Sequence, residues 1–484
     1  MATLASPPPP QVILENIQKL LAAGNLPEAQ KLVDEGLVLF PDNFRFHIIA
    51  ARLAETAKDM PRAIEILANA IATAKKPRPA PFAQLARILH AERRIDDAFR
   101  VLNDAFEKCG DQPLILAEAM KLAALRGEPD QAIEFGDRFI ARVDKDTPRG
   151  SASVTALAYL KRDYMDTDAA LAIVERGLQI WPDQLSLLFA RATILGGAGM
   201  RASARSILET RVLPHPDLQP EQKKRAVEHL VLLNGTGYID GDENVVVPDQ
   251  TSLATGDLVD DMNSDSAAGI FIHRAPASDK ALLVFTGLAH EAGGIPLQLL
   301  HGLLSDLQVN VIYLRDFQRL LYCNGVQGLE ESYASTLSAI RTLQEQWGAT
   351  RLYCLGMSGG GYGAIRYGID LNAEAILGFG AATTIDKDLR QFDARGPSVI
   401  YQIEKHVPEM LINLRTLLED HPSPPKIHLY YGDEMQEDHG HATNLDGIPG
   451  TTLIPEAGFG NHHIAGKLLA EGRLANIIRH AIGE

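Results

Sequence analysis

At 484 residues the chain exceeds what one ordinary hydrophobic core organises, so two domains are the starting expectation, with room for a third. A formal net charge of −16 argues against a phosphate-backbone binder, because such proteins concentrate Lys and Arg to displace counterions. The three cysteines, Cys109, Cys323 and Cys354, are scattered and odd in number, which indicates neither a disulfide framework nor a zinc site.

The first residues, MATLASPPPPQ, lack a basic start followed by an apolar run, and no stretch of about twenty uninterrupted apolar residues occurs elsewhere. The expectation is a cytoplasmic globular protein with no membrane insertion, no nucleic-acid partner and no cofactor.

From about Gln11 the chain reads as helix after helix, and the helices recur. Phrases built from a short turn, a polar residue and Ala end at Ala29 (GNLPEA), Ala63 (KDMPRA), Ala98 (RRIDDA), Ala132 (GEPDQA), Ala170 (MDTDAA) and Ala204 (GMRASA). These alanines are 34, 35, 34, 38 and 34 residues apart, and small residues recur upstream at Ala51, Ala86, Ala158 and Ala192. A period near 34 with Ala at this place resembles the tetratricopeptide repeat (TPR), in which two antiparallel helices approach closely enough to require a small side chain. Pro41 and Pro182 each fall twelve residues after an anchoring alanine, where that family often ends a repeat. Two departures are the missing large aromatics of the first helix and a four-residue insertion in the fifth repeat. The resemblance implies about six repeats over residues 11–232, an all-α solenoid whose concave face binds a protein or peptide. Self-association, or packing against the second half of the chain, is the plainer alternative.

Residues 233–269, rich in Gly, Asp and Ser, read as a linker and the entry to a second domain over residues 270–484. There, short apolar runs starting at Ala281, Val309, Arg351, Ala375, Lys426 and Thr451 alternate with helical segments, which predicts a mostly parallel sheet covered on both faces. Sites in such sheets lie at the C-terminal strand ends.

Ser358 stands at one of those ends, within Gly356-Met357-Ser358-Gly359-Gly360. A G-x-S-x-G between strand and helix is the setting of a nucleophile elbow, where the turn is too sharp for side chains two residues before or after the serine. A phosphate loop is the weaker reading, because no lysine follows and the strand run AILGFGAATT offers no acidic residue for a ribose. A nucleophilic serine needs a base and an orienting acid, and both follow in that fold's order: YYGDEMQEDHGHATNL, then PEAGFGNHHIAGKLL.

On these motifs residues 270–484 resemble the α/β-hydrolase superfamily. The resemblance implies a Ser-His-Asp triad of Ser358, His462 and Asp438, with His463 and Asp433 as the alternatives for base and acid. It implies an oxyanion hole from the N–H of Gly359 and one from the loop TGLAHEAGG, Gly287 or Leu288, the second being preferred. His290 of that loop is expected to be exposed. Arg315 and Asp316, just past a strand end, are candidates for a substrate pocket or for a structural ion pair. The acidic and histidine-rich loop Asp433–His441 has metal-ligand types but lacks helical zinc-protease spacing, so no metal is expected. The resulting expectation is a bacterial-type serine esterase or acyltransferase fused to a TPR interaction module, acting on a glycan or glycoprotein in analogy with some bacterial relatives. The alternative is a catalytically idle adaptor working through its repeats.

Overall fold

The computed structural model describes residues 8–248, 256–330, 332–387 and 390–484. Helices follow one another in pairs: α1 (Pro10–Ala22) and α2 (Leu26–Leu39), α3 (Phe44–Thr56) and α4 (Met60–Thr73), α5 (Pro79–Ala91) and α6 (Ile95–Cys109), α7 (Pro113–Leu125) and α8 (Pro129–Ile140). Next come α9 (Gly150–Tyr164) and α10 (Thr167–Ile180), α11 (Leu185–Gly197) and α12 (Arg201–Ile207), then α13 (Pro220–Leu233). The periodic signal has a backbone cause. Left-handed residues recur at Gly24, Lys58, Arg93 and Gly127, each closing the first helix of a pair. The side chains of Asn25 and Asp59 then accept from the N–H of Glu28 and Arg62, starting the second helix. All six anchoring alanines are fully buried. The insertion occupies the turn between α8 and α9, where Trp181 Nε1 donates to the Lys145 carbonyl at 3.4 Å.

The chain divides into two compact units. One runs to Leu160 and includes Glu175–Pro182; the other comprises Lys161–Val174 and Asp183–Glu484. This division does not follow the expected repeat boundary at residue 232: the helical pairs run on to α12, but the last of them pack in the sheet-containing unit. Arg201 at the start of α12 is buried and donates to the carbonyls of Leu232 and Leu233, and Ser203 Oγ donates to Asp265 at 2.6 Å. Residues 233–269 are likewise more than a linker: they form the hairpin β1 (Tyr238–Ile239) and β2 (Val245–Val246) and the helix α14 (Asp257–Asn263). Tyr238 and Met262 join the core of the sheet. Residues 249–255 of the predicted linker lie outside the described residues.

Among the described residues the sheet has seven strands: β3 (Ile270–His273), β4 (Lys280–Phe285), β5 (Asn310–Leu314), β6 (Arg351–Met357), β7 (Ala375–Phe379), β8 (Lys426–Gly432) and β9 (Thr451–Glu456). Their order is β3-β5-β4-β6-β7-β8-β9, parallel throughout except for the antiparallel edge strand β3. Side chains alternate between two cores, as the two-residue period of a strand requires. Leu283, Phe285, Ile312 and Leu314 face one core; Leu282, Val284, Val311 and Tyr313 face the other. The first core is covered by α16 (Tyr333–Trp347), α17 (Gly359–Asp370), α18 (Pro397–His406) and α19 (Leu414–Glu419). The second is covered by α15 (Leu297–Leu304), α21 (Ile464–Ala470) and α22 (Leu474–Ala481). A short helix, α20 (Gln436–Thr443), follows β8. No helix among the described residues is long and apolar enough to cross a membrane.

Candidate active site

Ser358 links β6 to α17 with φ +55° and ψ −126°, a left-handed backbone that a non-glycine residue adopts only under local constraint. The constraint is visible. Its N–H donates to Phe379 O at 3.0 Å, and its carbonyl accepts from Gly361 and Ala382 at 3.0 and 3.1 Å. A Cβ on Gly356 would lie 2.4 Å from Gly360 O, and one on Gly360 would lie 2.3 Å from Phe285 O. The motif glycines are thus the condition for the elbow to close.

Three elements converge on this serine. Ser358 Oγ is 2.8 Å from His462 Nε2, and His462 Nδ1 is 2.8 Å from Asp438 Oδ2. His462 sits in the loop ahead of α21, and Asp438 in the first turn of α20, where its side chain is fully buried. The alternatives lie elsewhere. Asp433 is exposed and accepts from the Gly458 N–H at 2.7 Å. His463 precedes α21, and its Nδ1 faces the Gly293 carbonyl at 3.4 Å.

A second layer was not legible in the sequence. Arg395 Nη1 is 2.9 Å from Asp438 Oδ1 and 3.0 Å from His462 Nδ1. Guanidinium is only a donor, so it and the imidazole N–H converge on one carboxylate. Asp393 holds Arg395 through two bonds, Nε to Oδ1 at 3.0 Å and Nη2 to Oδ2 at 3.2 Å. Asp393 also accepts from His441 Nε2 at 2.9 Å, while the Thr383 N–H donates to His441 Nδ1 at 3.2 Å, which fixes the tautomer of His441. Burial raises the Asp393 carboxyl, but the donors His441 and Arg395 outweigh it and hold the group well below the usual carboxylate range. Asp438 and His441 are one helical turn apart on α20, the only part of this network that a local pattern, DHGH, could have signalled.

The loop after β4 approaches the serine from the other side. The Gly287 N–H donates to Glu291 O at 2.9 Å, which engages one of the two predicted oxyanion donors. The Leu288 N–H makes no hydrogen bond among the described residues, and Leu288 lines the same cleft as Ser358 and Gly359. Gly359 opens α17, where first-turn N–H groups have no partner within the helix. Arg319 Nη1 donates to Leu288 O at 3.5 Å, and its Nη2 lies 3.7 Å from Asp163 Oδ1, near the end of α9.

Three expectations need correction. His290 is buried rather than exposed, against the ring of Phe317 at 4.2 Å, and burial together with Arg315 and Arg319 lowers its pKa to about 3. Arg315 is not in the cleft: its guanidinium donates to the carbonyls of Ser266 and Ala268, just ahead of the antiparallel edge strand. Asp316 is not paired with it; its buried carboxylate accepts from the Tyr322 N–H at 3.0 Å and ties down the following loop. Neither lines the cleft, a cavity of about 230 Å³ bounded by Leu288, Leu321, Ile385, Arg390, Val399 and Ile400 around Ser358 and His462. Among the described residues no group of His, Cys, Asp and Glu is arranged to hold a metal ion.

No protein-family model and no curated protein matches the chain. Among solved structures it is similar to the APC/C hetero-tetramer Cut9–Hcn1, with 17% identity over 45% of this chain and 43% of that one and a TM-score of 0.36. It is similar to TTC0263, a thermophilic TPR protein in Thermus thermophilus, with 22% identity over 38% and 98% of the two chains and a TM-score of 0.32. The corresponding values for PilF of Pseudomonas aeruginosa are 15%, 45%, 97% and 0.35. The scores are too low to bear on function.

Proposed function

We propose that the chain is a serine hydrolase, esterase or acyltransferase, with a helical-repeat module that engages a protein or peptide. The observation that carries this reading is the unbroken line Ser358 Oγ–His462 Nε2 at 2.8 Å and His462 Nδ1–Asp438 at 2.8 Å, set on a strained strand-to-helix turn. In this mechanism Ser358 Oγ attacks an acyl carbonyl while its proton passes to His462 Nε2. Asp438 orients the imidazole and stabilises its charged form. The N–H groups of Gly359 and Leu288 receive the developing oxyanion. His462 then protonates the leaving group, and water or another acceptor, deprotonated by the same imidazole, releases the acyl group.

The second reading is an adaptor that acts through its helical pairs and leaves Ser358 idle; the six pairs favour it, because stacked repeats commonly serve as binding surfaces. Intact-mass labelling with a fluorophosphonate separates the two. Stoichiometric labelling of wild type, absent in Ser358→Ala and His462→Ala, supports the hydrolase. A folded wild type that stays unlabelled sinks it in favour of the adaptor.

A further inference from the structure

We infer that His290 is a positioning residue for the oxyanion hole: its ring, lodged against the end of α11, holds the turn that presents the Leu288 N–H beside Ser358. The inference rests on the hydrolase reading of Ser358 and adds what keeps the second oxyanion donor in place, a contact with the last helical pair.

Two backbone bonds build the turn. The Gly287 N–H donates to Glu291 O and the His290 N–H donates to Gly287 O, each at 2.9 Å. Across a trans peptide the carbonyl and the N–H point in opposite directions, so a Gly287 carbonyl turned towards His290 sends the Leu288 N–H out of the turn. That N–H has no partner among the described residues. Its peptide unit stands next to the nucleophile: a Cβ on Gly287 would lie 3.6 Å from Ser358 Cβ, and one on Gly359 would lie 3.8 Å from Leu288 Cγ.

Closing that turn gives His290 a left-handed backbone, φ +58°, which a non-glycine residue keeps only where its surroundings hold it. The side chain shows what holds it. The ring is 6% exposed, its centre lies 4.2 Å from that of Phe317, and it bonds to the backbone of Gly197, the last residue of α11. Phe317 is itself wedged against the turn that follows α11, where a Cβ on Gly199 would lie 3.1 Å from its Cζ. His290 Nδ1 is buried without a partner, so the Nε2 side meets Gly197. Burial, with Arg315 and Arg319, keeps the ring neutral, and a neutral imidazole has one N–H to give, here to the Gly197 carbonyl. Any shift of the turn would leave that buried N–H and carbonyl unmatched, so the ring resists displacement of the loop.

The test resolves fluorophosphonate labelling of the full chain into a maximal rate and a half-saturating probe concentration, on protein shown to be folded by its thermal transition. His290→Gly permits the left-handed turn but removes the ring. Its maximal rate should fall about ten-fold, less than the roughly 10²–10³ of a deleted oxyanion donor, with half-saturation within about two-fold of wild type. His290→Gln, which can still offer an N–H to Gly197, should recover most of the rate. Phe317→Leu leaves the loop's own residues intact and should lower the rate about three-fold, which keeps the test open where His290→Gly does not fold. A purely structural histidine would lower the thermal transition and leave the maximal rate alone. An unchanged maximal rate in His290→Gly, or in Phe317→Leu where the glycine variant does not fold, overturns the inference, as does an equal loss in His290→Gln or a loss confined to half-saturation. Failure of the parent reading looks different: wild type itself stays unlabelled, and this inference falls with it.

Discussion

Arg395 Nη1 lies 2.9 Å from Asp438 Oδ1, on the same carboxylate that faces His462. One carboxylate therefore serves a guanidinium and an imidazole, and its orientation is set by both. Arg395→Gln should lower the fluorophosphonate labelling rate about ten-fold, in line with removing one charge-assisted bond. Asp393→Asn should act in the same direction, since Asp393 holds the guanidinium through two bonds. Because both changes act through Arg395, the double variant should be little slower than the worse single one; additive losses would show that the two residues work independently.

Asp438 and Asp433 make a sharper comparison. Asp438→Asn removes the anion behind the imidazole, and the labelling rate should fall by roughly 10³–10⁴. Asp433 only caps a surface turn through Gly458 N, so Asp433→Asn should leave the rate within about two-fold. Reversed effects would assign the acid to the wrong loop.

Gly360 is limited by backbone rather than by a movable side chain, with Phe285 O 2.3 Å and Thr286 O 2.4 Å from its would-be Cβ. Gly360→Ala should destabilise the sheet unit by about 3 kcal/mol in urea unfolding, at the upper end of overpacking costs. By contrast, Gly348 has open space but φ +65°, and Gly348→Ala should cost only about 1 kcal/mol. Equal costs would mean that the elbow relaxes freely.

His290 ties stability to pH. Burial first, then the charges of Arg315, Arg319 and Arg201, lower its pKa from 6.5 to about 3, so the folded protein refuses a proton that the unfolded chain accepts. Stability contributed by the neutral ring is therefore present above about pH 6.5 and is lost as pH falls towards 3. The neighbouring Glu291, raised by burial against the pull of Arg201, works in the opposite direction and cancels when variants are compared. The stability difference between wild type and His290→Gln should shrink by about 2 kcal/mol between pH 7 and pH 5 in urea titrations. A difference that is flat with pH would mean the ring is solvated.

What the sequence disclosed and what it hid follow from how local each constraint is. The repeats were legible because a close helix crossing needs a small residue at a fixed interval, and Ala63 or Ala98 meets that need within its own helix. The parallel strands were legible as apolar runs, whereas β3 is four residues with His273 among them and carries little pattern. The Ser358 elbow is a contiguous motif, so its glycines announced it. Arg390, Asp393 and Arg395 came from a loop with no motif, brought to Asp438 by the fold alone. Arg315 was misread because position at a strand end does not say which way a long side chain turns; it turns to the carbonyls of Ser266 and Ala268.

The placement of Lys161–Val174 and α11–α13 with the sheet has a practical meaning for anyone cutting the gene. The ring of Tyr164 meets that of Tyr401 on α18 at 5.4 Å, and the Met165 carbonyl accepts from Gln402 at 3.4 Å. A fragment started at Ile270 discards these contacts together with the Arg201 anchor, and its exposed seams invite aggregation. A piece that carries Ser358 and keeps these contacts has to begin inside the repeats, at or before Lys161, so the array is not an interchangeable cassette, and recombination that swaps it at residue 232 would cut between Arg201 and the Leu233 carbonyl it holds.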